Sequence, residues 1–141
     1  MKPESATQPF APVLDRLRAA GLRPTRQRLA LARLLFDRGD RHVTAEQLLG
    51  EAAHGGVRVS MATIYNTLHQ FTHAGLLREV VVDPGRSYFD TNVSDHHHFF
   101  VEGSSELYDF DAAGIEVRHL PVPPDGTRIA RVDVIVRVKK D

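Results

Sequence analysis

SMATIYNTLHQFTHAGLLREVVVDPGRSYFDT, residues 60–91, reads as one amphipathic helix followed at once by a hairpin. Ser60 is a helix-capping residue, Ile64, Leu68 and Phe71 recur at helical spacing, and Gly75 supplies a C-terminal stop. The β-rich runs LLREVVV and RSYFDT are joined by Asp83-Pro84-Gly85, a turn signal. Upstream, residues 11–20 place Val13, Leu14, Leu17 and Ala20 on one helical face, ended by Gly21. Thr25 opens a second helix with the stripe Leu31, Leu34 and Leu35, closed by Gly39. Thr44 and Gln47 form a capping-box pattern for a third, ended by Gly55-Gly56. Three short helices, a capped fourth and a hairpin give the order of a winged helix, whose helix after the tight turn lies in the DNA major groove. Ser60, Thr63, Tyr65, Asn66 and His69 lie on the polar face of that helix.

Downstream the character changes. In DHHHFF, Asp95 to Phe100, the apolar residues after the histidines mark a strand. Side chains alternate along a strand, so His96 and His98 share one face and His97 takes the other. Two imidazoles on one strand face make a metal-ligand pair. FFVEG and ELYDF read as two strands around a Gly-Ser-Ser turn. Prolines 121, 123 and 124 exclude a helix, and IARVDVIVRVK, residues 129–139, alternates as one long strand. A piece of about fifty residues rarely buries enough core to stand alone, which invites pairing with a second copy. The fold class is therefore α+β, with a winged helix over 1–92 and a small α/β dimerisation and metal-sensing domain over 93–141.

Composition narrows the function. The 141 residues include no cysteine, which excludes disulfides, thiol redox sensing and a structural zinc held by cysteine thiolates. No run approaches the ~18 apolar residues of a membrane span. MKPESATQPF lacks an apolar signal core, so a frayed arm and a cytoplasmic location are expected. Formal net charge is zero, yet eight arginines (16, 18, 23, 26, 28, 33, 38 and 41) fall between Asp15 and Arg41 against three aspartates. The guanidinium fork suits phosphate and guanine, so the first half is expected to meet nucleic acid.

GLRPTRQRLALARLL, HVTAEQLL, ATIYNTLHQF and SYFDTNVSDHHHFF, in this order, resemble the ferric uptake regulator family across almost the whole chain. The resemblance implies a homodimer on palindromic double-stranded operators of iron-homeostasis genes, and no enzymatic activity. It puts Arg23, Thr25 and Arg28 at the DNA backbone or minor groove, and Tyr65 at thymine methyls. Asn66 replaces an arginine of some branches, which alters the expected base preference. The regulatory metal ligands implied are His42, Asp90, His96, His98 and Asp109, a thiol-free set suited to Fe²⁺, Mn²⁺ or Zn²⁺. Such an ion would tie the two domains together across the Asn92–Asp95 hinge.

The family's paired Cys-x-x-Cys motifs are missing: Val101 and Ser104 stand where the first pair usually falls. This and the middle histidine make the chain most similar to the iron response regulators (Irr), a branch that couples transcription to haem as well as iron. Haem, with a haem-delivery partner, is thus a second expected ligand class, bound through histidine. A second metal or haem site is considered at Asp95, His97 and Glu116. His54, His69 and His73 read as surface or DNA-proximal. Two rivals remain: a cupin-like metalloenzyme built on His96-x-His98 and Glu102, and a haem sensor or carrier for which DNA is incidental.

Overall fold

The computed structural model describes residues 11–141; the expected N-terminal arm lies outside them. The chain divides between Val93 and Ser94 into two compact units.

The first unit holds helices α1 (Ala11–Ala19), α2 (Arg26–Phe36), α3 (Ala45–His54) and α4 (Met61–His73), and strands β1 (His42–Val43), β2 (Arg78–Asp83) and β3 (Arg86–Asp90). The helix starts are set locally. Thr25 Oγ1 accepts from Arg28 N and Ser60 Oγ from Thr63 N. Thr44 and Gln47 complete a reciprocal capping box. Each cap satisfies a backbone N–H that has no partner inside its helix. α4 ends where Gly75, at φ +83°, reverses the chain. Gly75 N donates to Thr72 O and Leu76 N to Phe71 O, the Schellman pattern. Any side chain at that positive φ would be strained.

The apolar stripes meet in one core. Leu17, Leu31, Leu35, Leu48, Ile64, Leu68, Phe71 and Phe89 are all 1% exposed or less. Phe36 packs on Phe71 at 6.2 Å between ring centroids, and the Arg16 guanidinium lies 4.2 Å over the Phe36 ring. The hairpin forms as expected, with Asp83 paired to Arg86 and a bulge between Val81 and Asp83. Helices followed by this hairpin are the winged-helix part of the α+β fold. β1 has no sequence signature, because two residues are too few to show alternation. It adds to β3 and gives the sheet order β1-β3-β2.

The second unit is a three-stranded sheet, β5-β4-β6, from β4 (His96–Glu102), β5 (Glu106–Asp111) and β6 (Ile135–Lys139). β4 is central, antiparallel to β5 and parallel to β6. Its helical content among the described residues is one 3-10 turn, Ala112–Gly114. The long final strand is shorter than expected. Residues 131–134 keep the alternation, with Val132 and Val134 half-buried and Arg131 and Asp133 exposed, but strand pairing starts only at Ile135. Alternation sets which side chains can share a face; a ladder also needs a neighbouring strand, and β4 supplies its partners from His98 onward. Among the described strands neither sheet closes on itself, which removes the barrel that a cupin requires.

Two substitutions separate core from cap. Phe71→Ala should cost about 3–5 kcal/mol, since a fully buried aromatic leaves a cavity. Thr44→Ala should cost about 1 kcal/mol. Urea denaturation of the two variants checks the ranking.

Candidate metal centre and nucleic-acid interface

β4 delivers two histidines to one buried face. His96 and His98 are 5% and 1% exposed, while His97 between them is half-buried on the other side. The rings of His96 and His98 lie 4.6 Å apart at 65°. The antiparallel register sets Asp109 opposite His98, and its Oδ1 lies 3.3 Å from His98 Nε2 and 3.8 Å from His96 Nε2. His96, His98 and Asp109 each present a donor atom within 4.8 Å of the others.

The imidazole of His96 is oriented by the backbone. Its Nδ1 lies 2.7 Å from the Ser94 carbonyl oxygen, an acceptor only. Nδ1 must carry the proton there, which leaves the Nε2 lone pair of the neutral ring facing the cluster. A carbonyl that fixes the tautomer of a ligating histidine is the usual support of a metal ligand. Two neutral imidazoles and one carboxylate fit a borderline divalent cation. Glu102 is not part of the cluster among the described residues.

In the first unit, His42 on β1 and Asp90 on β3 are register partners. Asp90 is 1% exposed, and its Oδ1 accepts from Asn92 N at 2.9 Å. The His42 ring stands edge-on to Tyr88 at 6.2 Å. Burial pushes the Tyr88 hydroxyl above its ordinary pKa, so it stays neutral beside His42. On its other side Asp90 is in register with Arg78, itself 4% exposed. That buried cation had no signal in the sequence beyond its place in an apolar run.

The second-site residues are not drawn together. Glu116 is exposed and holds Arg118 Nε at 2.7 Å. His97 Nδ1 accepts from Val134 N at 3.2 Å, with its ring 5.6 Å from Phe110. Asp95 is exposed. Among the described residues these three do not form a converging donor group.

The exposed face of α4 carries Tyr65, at 39% exposure, and Asn66. Tyr65 stacks on His69 at 6.1 Å and 23°, and His69 stands edge-on to the buried Phe89 at 5.7 Å. Tyr65 therefore starts from a braced position. Ser60 and Thr63 are both engaged in the helix cap, where Ser60 Oγ also donates to Thr63 Oγ1 at 3.1 Å. Thr25 caps α2, and Arg23 is exposed just before it.

Arg28 is engaged within the protein. Its Nη1 donates to Arg23 O at 2.7 Å and its Nη2 to Gln70 Oε1 at 2.9 Å, so it ties the start of α2 to α4. The arginine count overstated the free charge. Arg16 lies on Phe36, Arg33 pairs with Asp37 and Arg41 with Glu51, while Arg18, Arg23, Arg26 and Arg38 are exposed. Gln70 gave no cue, since a glutamine on a polar face looks like solvation.

Comparison with known proteins places these features. The profile described as the ferric uptake regulator family matches residues 19–136. The peroxide-responsive repressor PerR of Staphylococcus aureus is 35% identical over 94 residues, 67% of this chain. The chain spans 63% of the length of that curated relative. The ferric uptake regulator of Pseudomonas aeruginosa, solved with manganese, superposes with a TM-score of 0.69 at 28% identity, covering 89% of this chain and 96% of that one. The Vibrio cholerae ferric uptake regulator shares the fold at 22% identity and the same TM-score, over 89% and 98% of the two chains.

If Arg28 is a strut, Gln70→Ala and Arg28→Ala should each cost about 1 kcal/mol in urea melts, and the double variant little more than one alone. Strict additivity would mean that the two side chains do not act together.

Proposed function

Because the chain belongs to the ferric uptake regulator family, we propose that it is a transcriptional regulator whose grip on DNA depends on a divalent metal ion. The observation that carries this reading is the buried His96–His98 pair facing Asp109, with His96 oriented by the Ser94 carbonyl. His96, His98 and Asp109 would hold the ion, and His42 and Asp90 are the further ligands that the family resemblance implies. When bound, the ion supplies a fixed positive centre for these donors. Fe²⁺, Mn²⁺ and Zn²⁺ all suit the set; Mn²⁺ is the natural first probe, because the Pseudomonas relative was solved with it.

Residues 1–92 form the proposed DNA-binding domain. Tyr65 and Asn66 would read base edges in the major groove, with Arg23, Thr25, Arg28, Ser60 and Thr63 near the DNA backbone, and the hydrogen bond of Arg28 to Gln70 would also steady α4. Residues 93–141 form the proposed dimerisation and sensing domain. Among the described residues only Phe100, Val101 and Leu107 of that unit are buried hydrophobics, while Val117, Leu120, Val122 and Ile129 are exposed. A second copy that covers these side chains accounts for the shortfall and matches a palindromic operator. No described helix is long and apolar enough to cross a membrane.

The finer assignment we favour is the iron response regulator branch. The cysteine-free chain and the mid-strand His97 support it. His97 and a haem-delivery partner would then serve haem sensing, and a Soret band lost in His97→Ala tests this. Peroxide response is the second reading, supported by the 35% identical relative. Release of DNA by the Fe²⁺-loaded protein on exposure to hydrogen peroxide would favour it.

Three measurements test the main reading. His96→Ala or His98→Ala should abolish tight Mn²⁺ binding, followed by the paramagnetic resonance of free Mn²⁺, and His97→Ala should leave it intact. The reverse pattern would overturn the assignment of faces. On a duplex selected from a random pool, Tyr65→Ala should cost about 1–3 kcal/mol of specific binding and spare random DNA. Equal loss on both would remove Tyr65 from base reading. A chain ending at Asn92 should sediment as a monomer; a dimer would move the interface to the winged helix.

A further inference from the structure

We propose that His69 is the positioning residue for Tyr65: its ring holds the phenol in the orientation that meets DNA, and so sharpens sequence discrimination without touching a base. The proposal rests on the base-reading role of Tyr65 given above. Its basis is a line of three rings that runs from the core of the first unit to its surface. Phe89, on β3, is 1% exposed and belongs to the helical core, where Val43 is its strand partner. His69 stands edge-on to it at 87°, with ring centroids 5.7 Å apart. Tyr65 lies nearly parallel to His69, at 23° and 6.1 Å. Both separations fall in the range over which edge-to-face and offset-stacked rings attract. The helix explains the second contact. Tyr65 and His69 are four residues apart on α4, and helical side chains lean toward the N-terminus, so the His69 ring lies over the turn that carries Tyr65.

Among the described residues, neither the Tyr65 hydroxyl nor the His69 ring nitrogens make a hydrogen bond. The support is therefore the ring plane itself, which a phenylalanine can replace and an alanine cannot. Tyr65 also borders a cleft of 220 Å³ lined by Glu46, Pro84 and Arg86. Without the His69 ring the phenol is free to turn into that cleft. A side chain that is already held loses less freedom when DNA arrives, and that saving appears as affinity for the sequence that Tyr65 contacts. A His69 that met DNA itself would act differently. It would need its ring nitrogens, and its effect would persist without Tyr65.

The test combines DNA titrations in MnCl₂ with fluorine resonance on the full chain. The duplexes are one selected from a random pool and one of random sequence. His69→Ala should weaken the selected duplex about three- to tenfold and leave the random one unchanged. His69→Phe should restore the selected duplex to within about twofold of wild type, and His69→Ala placed on Tyr65→Ala should add less than about twofold. With 3-fluorotyrosine at the chain's three tyrosines, the signal missing from Tyr65→Phe identifies Tyr65. That signal should move in His69→Ala and return toward its wild-type position in His69→Phe. An unmoved signal overturns the brace. A His69→Phe protein no better than His69→Ala, or a His69→Ala loss that persists in full on Tyr65→Ala, overturns the proposal in favour of a direct DNA contact by His69. A Tyr65→Ala protein that binds the selected duplex as tightly as wild type overturns the base-reading role itself, and the proposal with it. Should His69→Ala fail to fold, His69→Gln carries the same comparison.

Discussion

A ladder of two residue pairs, His42 with Asp90 and Val43 with Phe89, organises the chemistry of the first unit. Strand alternation makes the two pairs face opposite ways. Val43 and Phe89 enter the helical core and are 0% and 1% exposed. His42 and Asp90 are held side by side by that same burial. The pairing cannot slip by one residue without exposing Phe89 and burying the wrong neighbour. A strand of two residues is thus held by hydrophobic burial on one face and by Arg41 and Thr91 beyond its end.

The second unit works under a different constraint. Polar side chains at 1% and 5% exposure are costly unless their hydrogen-bonding groups are met. His96 meets this at Nδ1 through the Ser94 carbonyl, while its Nε2 lies 3.8 Å from the Asp109 carboxylate. His98 faces the same carboxylate. Two buried imidazoles beside the more exposed Asp109 carboxylate suit a cation that pairs with them all. The small apolar core of this unit and its exposed valines and leucine fit the proposed dimer by the same accounting of buried area.

The contacts of α4 show how neighbours change the meaning of a residue. Arg28 and Tyr65 look alike in sequence, as polar residues on positions that would face DNA. In the fold, Arg28 is bound to a backbone carbonyl and to Gln70, whereas Tyr65 is braced by a ring beneath it and keeps its outer face open. The first ties the start of α2 to α4, and the second is the proposed base contact.

Local residue patterns are enough to specify the four helices of the winged helix, their caps at Thr25, Thr44 and Ser60, the hairpin over Asp83–Arg86, and the opposite faces of His96 and His97. Capping needs three or four residues, and alternation needs only the strand period. The family resemblance added His42, Asp90 and Asp109, which no local pattern marks. The assembled fold was needed to show that β1 exists and pairs with β3, that the last strand starts at Ile135, and that Arg28 is committed to Gln70 and Arg41 to Glu51. It was needed, too, to show that Ser94 orients His96, and that Asp95, His97 and Glu116 stay apart. Each of these depends on which side chain or strand lies across from another, and a partner distant in sequence leaves no periodicity to read.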